Sequence, residues 1–237
     1  MRINKYLATC GIASRRSADE IIKEGRVKVN GKTVKELGVE INVDNDTVTV
    51  DGNRTTLRKR FVYIMLNKPK GCVCTVNDEH GRKTVMEYVK LVDPNRRIFP
   101  IGRLDYDSEG LLLLTDDGDM AYKLTHPSHE IPKTYIAKTE TELSNEALER
   151  LRSGVVIDGF KTHPAKVKLL AKEENEFRYE IVIFEGRNRQ VRKMFAEVDK
   201  HVTFLKRTGV GDLKLGGLGR GQSRYLTEKE IAILNEI

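Results

Sequence analysis

The chain has 237 residues, 39% of them hydrophobic, so it is long enough to bury one large core or two smaller ones. Lys and Arg outnumber Asp and Glu by 42 to 35, and the formal charge of +7 favours a polyanionic partner such as nucleic acid. The spacing of the three cysteines fits neither a disulfide framework nor a zinc ribbon. No purely aliphatic run exceeds four residues, which is too short to span a membrane, and the N-terminus shows no apolar core of a signal peptide. We therefore expect a cytoplasmic protein without a membrane span.

The first 52 residues predict a small domain of two helices and a sheet. Apolar side chains at helical spacing predict a helix over 2–10, and a capping box of Ser17 and Glu20 predicts a second helix that ends at Gly25. The dipeptide NG inside RVKVNGKTV is a strong hairpin signal, and VDNDTVTVDG predicts a further strand.

Basic residues are concentrated in this domain. Residues 1–36 contain nine Lys and Arg against four Asp and Glu. Such charges are commonly only a solvated surface, but their density favours a surface that binds phosphate. The candidate RNA-binding residues here are Arg2, Lys5, Arg15, Arg16 and Lys28.

A polar segment at 53–60 predicts a linker, and 61–237 predicts a second domain. Strands are expected in FVYIMLNKPKG, RRIFPIGRLD, TYIAKT, GVVIDG, AKVKLLA and RYEIVIFEG, and helices in SNEALERLRSG, NRQVRKMFAEV and the segment after Thr227. Strands outnumber helices without regular alternation, and the glycine motifs of nucleotide-binding folds are missing from the sequence. The pattern predicts an α+β fold with a mostly antiparallel or mixed sheet flanked by helices.

The segment GRLDYDSEGLLLLTDDG, at 102–118, gathers five acidic residues in a basic chain. Its four leucines predict a central strand buried on both faces, with Asp105, Asp107 and Glu109 in the loop that leads into it. The later aspartates, Asp116 and its neighbours, are expected to begin a helix. Four interpretations of the loop acids remain open: a polar turn, a magnesium site of a nuclease, a glycosidase acid and base, or one aspartate acting on a flipped nucleoside.

This segment resembles the catalytic motif of the RNA pseudouridine synthases, in the branch that carries an N-terminal S4-type RNA-binding domain. The segments RINKYLATCGIASRRSADEIIKEGRVKVNG, KTY at 133–135 and EGRNRQVRKMF at 185–195 match the branch in the same order. The resemblance implies that Asp105 is catalytic, that Tyr135 stacks on the uracil, and that Arg192 keeps Asp105 charged. It also implies an RNA-binding role for Arg103, Arg189 and Gln190.

The implied reaction converts a uridine in RNA to pseudouridine by base flipping, with no cofactor and no metal. The segments NDEHGRKTV and EGRNRQVRKMF are most similar to the large-subunit enzymes of the branch, so 23S rRNA is the expected target and 16S rRNA the alternative. A non-catalytic ribosome assembly factor with the same fold and a metal-dependent nuclease are the other candidates. We expect a monomer whose partner is structured rRNA or a ribosomal assembly intermediate.

Overall fold

A computed structural model describes residues 1–90, 93 and 96–237, which divide into two compact units. The first consists of Met1–Val62, Asp93–Ile98 and Asp116–Gly118, and the second contains the other described residues. Short helices combined with antiparallel and mixed sheets confirm the predicted α+β class. None of the described helices has both the length and the apolar character that a membrane span requires.

The first unit packs two helices against a four-stranded antiparallel sheet of order β2-β1-β3-β4. Both hairpin turns have positive φ at their two central residues, 50° and 78° at Asn30-Gly31 and 50° and 81° at Asp51-Gly52, as a primed turn requires. The hairpin predicted from NG is therefore confirmed. The elements are α1 (Ile3–Thr9), α2 (Arg15–Lys23), β1 (Val27–Val29), β2 (Lys32–Val34), β3 (Val48–Val50) and β4 (Asn53–Arg54).

Helix α2 begins earlier than the sequence predicts. Its N-cap is Ser14, whose side chain accepts a hydrogen bond from the Ser17 backbone N–H at 3.0 Å. Ser17 is thus the third helical residue and not the cap, because the extended backbone at Ser14 already allows its hydroxyl to reach the free amides. The shift places Arg15 and Arg16 in the first turn.

The segment predicted as a linker begins inside the first unit. Residues 53–54 pair with β3, and Thr55 is buried, with its hydroxyl donating to Val48 O at 3.0 Å and its carbonyl accepting from the Tyr6 hydroxyl at 3.0 Å. Residues 53–55 therefore belong to the folded N-terminal unit, because their backbone and side chains complete its sheet and core. The domain bounds 1–52 and 61–237 stay predictions.

The second unit is built on a nine-stranded sheet of order β11-β12-β8-β13-β7-β5-β15, with β6 beside β7 and β14 beside β13. All its pairs are antiparallel except β13 with β7, so β13 joins two antiparallel halves. The strands are β5 (Tyr63–Lys68), β6 (Phe99–Ile101), β7 (Glu109–Thr115), β8 (Lys133–Thr139), β11 (Lys166–Glu173), β12 (Glu176–Ile183), β13 (Phe204–Val210), β14 (Leu213–Lys214) and β15 (Ser223–Tyr225).

Four helices, two 3-10 turns and a small hairpin complete this part of the chain. The helices are α3 (Gly118–Thr125), α4 (Asn145–Ser153), α5 (Gln190–Ala196) and α6 (Glu228–Glu236), the 3-10 turns are Val85–Tyr88 and Pro127–His129, and the hairpin strands are β9 (Val156–Ile157) and β10 (Phe160–Lys161). Helix α6 follows Thr227, as predicted, and begins with a capping box of Thr227 and Glu230.

Strand β7 is buried along its whole length, which confirms the prediction for the leucine run. Leu111 and Leu113 point to the same face, because side chains alternate along a strand, and share a core cluster with Met65, Leu124 and Leu234. The strand thus holds the end of the preceding loop in a rigid position.

Asp116 does not begin a helix, which corrects the prediction for this residue. It is buried, and its carboxylate accepts hydrogen bonds from Arg58 at 2.9 Å, Arg96 at 2.8 Å and the Val62 backbone N–H at 2.8 Å. Helix α3 starts two residues later, at Gly118, with Asp119 in its first turn. Asp116 is therefore an internal counter-ion of the first unit.

Candidate active site

Asp105 lies in the loop between β6 and β7, and Lys68 fixes the backbone of this loop. The Lys68 side chain is wholly buried, and its ammonium donates to the carbonyl oxygens of Pro69 at 3.1 Å, Asp105 at 2.9 Å and Ser108 at 2.9 Å. The Cys74 Sγ lies 3.3 Å from both the backbone N and O of Leu104, in hydrogen-bond contact with each. These contacts hold the candidate catalytic residue accurately.

Gly110, at the start of β7, allows the close approach of β13. Its φ is +108°, and a Cβ there would lie 2.1 Å from the carbonyl oxygen of Arg207. Only glycine fits this position without displacing the backbone. The approach brings Arg207, which is itself buried, to the base of the candidate site.

The Asp105 carboxylate is 27% exposed and lines two cavities. The smaller, of about 180 Å³, is also lined by Tyr135 and Arg207, and the larger, of about 670 Å³, by the exposed ring of Tyr106. Arg103 is exposed and lines both cavities. Glu185 lines only the smaller cavity and Asp78 and Glu79 only the larger, so Asp105 is the carboxylate, among the described residues, that is reachable from both.

Tyr135 lies on β8, opposite Arg207 of β13, and is 8% exposed. The strand places Lys133 on the same face, and Lys133 also lines the smaller cavity. Burial lowers the pKa of Lys133, and the nearby charge of Arg207 lowers it further. Sequence reasoning missed both cations. The sequence could have indicated Lys133 as a site residue, because Lys133 and Tyr135 are two residues apart in a predicted strand and so share a face. No comparable sequence signal indicates Arg207.

Asp107, and not Asp105, is the main partner of the two candidate arginines. Arg189 donates to the two Asp107 carboxylate oxygens at 2.9 and 3.0 Å, while its Nη1 lies 4.0 Å from Asp105 Oδ2. Arg192 has its Nε 3.3 Å from Asp107 Oδ2 and donates to Asp107 O at 3.1 Å and to Val202 O at 2.6 Å.

Arg192 is therefore in contact with Asp107, while its charge also interacts with that of Asp105, and the role beside Asp105 that the resemblance implies for it stays a prediction. Two backbone carbonyls fix the Arg192 guanidinium beside Asp107, and Arg189 is the cation nearest to the Asp105 carboxylate. Hydrogen bonds from Arg189 lower the pKa of Asp107 despite its partial burial, and Asp107 raises the pKa of Arg189 in return. Burial lowers the pKa of Arg192, against the opposing effect of Asp107.

Gln190 lines the smaller cavity, but its amide is bound within the protein, and its predicted contact with RNA stays a prediction. It is 3% exposed, its Nε2 donates to Glu185 at 2.8 Å, and its Oε1 accepts from the Arg187 backbone N–H at 2.9 Å. Both amide atoms are therefore used to close the turn before α5. Its sequence neighbours suggest exposure, but the fold directs this side chain inward.

The basic residues predicted to bind RNA in the first unit lie mostly on its surface. Arg2, Arg15, Arg16 and Lys28 are exposed, and Lys5 is half-buried. Their contact with RNA stays a prediction.

The acids of the loop do not gather into a cation site. Asp107 is bound by two arginines, and Glu109 is buried with an oxygen 3.5 Å from Arg220 Nε. Over the described ranges, no three His, Cys, Asp or Glu side chains are arranged to hold a metal ion. Of the loop acids, Asp105 is the partly exposed carboxylate that lines both cavities, with Arg189 Nη1 4.0 Å from its Oδ2, and such a carboxylate suits a reaction at an electron-poor carbon.

Comparisons with known proteins match both parts of the chain. Residues 62–197 match the family model described as RNA pseudouridylate synthase, and residues 1–48 match that of the S4 domain. The chain is 46% identical to the ribosomal large subunit pseudouridine synthase B of Bacillus subtilis (strain 168), over 100% of this chain and 96% of that protein. It is 41% identical to an uncharacterized RNA pseudouridine synthase of Aquifex aeolicus (strain VF5), over 99% and 93% of the two chains. A crystal structure of a pseudouridylate synthase aligns with a TM-score of 0.71 and 32% identity, over 99% of each chain.

Proposed function

The chain belongs to the RNA pseudouridylate synthase family, whose members are isomerases acting on RNA, and we propose that it converts a specific uridine of large-subunit ribosomal RNA to pseudouridine. The name of the Bacillus subtilis relative supports this class of substrate. The observation that carries the proposal is the carboxylate of Asp105, which among the described residues is the one that lines both cavities, on a loop fixed by a buried lysine.

The reaction explains why one carboxylate is sufficient. The bond between ribose C1′ and uracil N1 breaks, the uracil rotates, and a bond forms between C1′ and C5. C5 loses its proton and N1 gains one, so no electrons and no groups are exchanged with another molecule. Asp105 can attack C1′, stabilise the positive charge that develops on the sugar, or accept the ribose 2′ proton.

The surrounding side chains have matching roles in the proposal. The uridine is flipped out of its RNA helix into the smaller cavity, where the Tyr135 ring stacks on the uracil and its hydroxyl is available to move the C5 proton. Arg103 takes the space that the flipped base leaves or binds its phosphate. Arg189, with its Nη1 4.0 Å from Asp105 Oδ2, places a positive charge beside this carboxylate.

In this proposal the first unit binds the ribosomal RNA. Its surface residues Arg2, Arg15, Arg16 and Lys28, together with Lys5, contact the phosphates of structured rRNA and so bring the target uridine to Asp105. Ribosomal RNA as substrate places the reaction in the cytoplasm. That the protein acts as a monomer stays a prediction.

The test is to map pseudouridine in rRNA from cells with and without the protein. Cells that produce Asp105→Asn should lose the same modified position as cells without the protein, while RNA binding is retained. The control is Asp212→Asn, which changes an exposed aspartate that lines none of the described cavities and should restore the modification.

Two outcomes would contradict the proposal. If no rRNA position changes and Asp105→Asn cells assemble ribosomes normally, the protein acts as a binding or assembly factor. If the purified protein cleaves RNA and EDTA stops the cleavage, it is a metal-dependent nuclease.

A further inference from the structure

A third cavity, which we call the basic pocket, lies beside the candidate active site. It has a volume of about 340 Å³ and is lined by residues of α5, of 200–203 and of the segment that follows β5. Arg189 lines this pocket as well as both cavities at Asp105. The basic pocket is therefore a direct neighbour of the place where the proposed function puts the target nucleotide.

The charges that line the basic pocket are unbalanced. In the described part of the chain the lining contains one carboxylate, Asp107, and His201, against the five Lys and Arg side chains of Lys70, Arg189, Arg192, Lys193 and Lys200. Lys193 has its own partner outside the lining, Asp158. A concave surface with an excess of one charge attracts and concentrates ions of the opposite charge.

Two of the lysines have no carboxylate partner among the described residues. The contact of Lys70 is with the ring of Phe204, 5.2 Å from its centroid, and Lys200 donates to the Thr141 hydroxyl at 2.9 Å. Such contacts orient an ammonium group but leave its charge uncompensated. Both lysines are therefore available to bind an anion that enters the pocket.

The contacts between Asp107 and its two arginines are of a kind that an incoming anion can also make, so such an anion can replace Asp107. The Arg189 fork binds the carboxylate through two parallel hydrogen bonds, the same geometry with which a guanidinium binds a phosphate. The Asp107 and Arg189 side chains are 44% and 43% exposed, so water can take up the displaced carboxylate. The buried Arg192 Nε is near Asp107 but has no hydrogen bond, which leaves a donor available.

We propose that the basic pocket binds a backbone phosphate of the RNA next to the target nucleotide, and that this phosphate replaces Asp107 on Arg189. In the absence of RNA, Asp107 is the anion that balances the charge of Arg189 and Arg192 and keeps their side chains in place. This inference rests on the proposed function, since it takes the RNA substrate and the position of the target at Asp105 from it.

The experiment uses the full chain and an rRNA fragment that carries the uridine found by mapping. Lys70→Gln/Lys200→Gln removes two charges of the pocket, and Lys168→Gln/Lys229→Gln removes two exposed charges that line none of the described cavities. The pocket variant should raise KM about tenfold and weaken the salt dependence of binding, since it loses a phosphate contact, while kcat is retained. The control should stay within about twofold of the wild type.

A second measurement identifies the phosphate. Fragments with a neutral methylphosphonate at single positions are bound to the wild type and to the pocket variant. One linkage beside the target should weaken wild-type binding, and the same linkage should add little to the defect of the pocket variant, because both changes remove one contact.

The proposal is overturned if the two double variants have equal effects, or if each linkage weakens both proteins equally. Either result leaves the proposed function standing as long as the wild type forms pseudouridine. Absence of pseudouridine with the wild type would instead contradict the proposed function, and binding measured by fluorescence anisotropy would still report on the pocket.

Discussion

Replacing Lys68 with methionine should weaken both the fold and the reaction, because the Lys68 ammonium joins β5 to the loop that carries Asp105. Methionine fills a similar volume but donates no hydrogen bond. The substitution removes the three bonds to Pro69, Asp105 and Ser108. The Asp105 carbonyl keeps one further donor, the Ser108 backbone N–H at 3.1 Å.

The expected loss of stability is about 3 kcal/mol. Hydrogen bonds to a charged group contribute roughly 1.5–3 kcal/mol each, and the several kcal/mol that it costs to bury an ammonium offset part of this sum. Carbonyls left without a donor add a further penalty. A displacement of the loop by about 1 Å should lower kcat roughly a hundredfold, because catalysis depends on the position of the carboxylate.

Urea denaturation measures the stability, and pseudouridine formation at saturating RNA measures kcat. Lys168→Met, at an exposed lysine on β11, is the control and should change stability by less than about 0.5 kcal/mol. The reasoning is refuted if Lys68→Met unfolds at the same urea concentration as the wild type and keeps its kcat. RNA affinity should be unchanged, since Lys68 is not exposed.

Three further substitutions test contacts outside the reaction itself. Gly110→Ala places a methyl group against the Arg207 backbone and should lower the free energy of unfolding, measured by urea denaturation, by more than about 3 kcal/mol. A loss below about 1 kcal/mol would show that β13 can move away from β7. Asp116→Asn leaves two arginines without their shared carboxylate and should cost about 3 kcal/mol, and an unchanged thermal midpoint would contradict this. Arg224 and the N-cap lower the pKa of Glu230 to about 2, so the stability it contributes is complete above pH 4.5 and is lost as the pH falls towards 2. Glu230→Gln should remove about 2 kcal/mol at neutral pH but flatten the decline between pH 4.5 and 2, whereas an unchanged acid slope would argue against the Arg224 pair.

Features that depend on neighbouring residues were predictable from the sequence. The Asn30-Gly31 turn follows from backbone conformations that few other residues adopt, and the burial of β7 follows from four adjacent leucines. The error at the start of α2 arose because Ser14 and Ser17 are chemically equivalent caps. The backbone geometry that decides between them is not visible in the sequence.

Features that depend on tertiary placement were not predictable. Which carboxylate an arginine binds is decided by where α5 packs, and this position directs Arg189 and Arg192 to Asp107 although Asp105 is only two residues away. The inward direction of Gln190 depends in the same way on Glu185, and the internal role of Asp116 depends on Arg58 and Arg96. Charged side chains reach far enough to choose among several partners, so their spacing in the sequence does not settle the pairing.

The central position of β13 has a consequence for synthesis of the protein. Because β13 separates β7 from β8, the strand after Asp105 and the strand that carries Tyr135 have no shared neighbour until residues 204–210 have been made. At roughly 5–20 residues per second, the start of β7, where Glu109 and Gly110 pair with β13, waits about 5 to 20 seconds on the ribosome for this partner. An open strand end of this kind is a site for misassembly or for a chaperone, and the nascent chain acquires its complete site only near the end of translation.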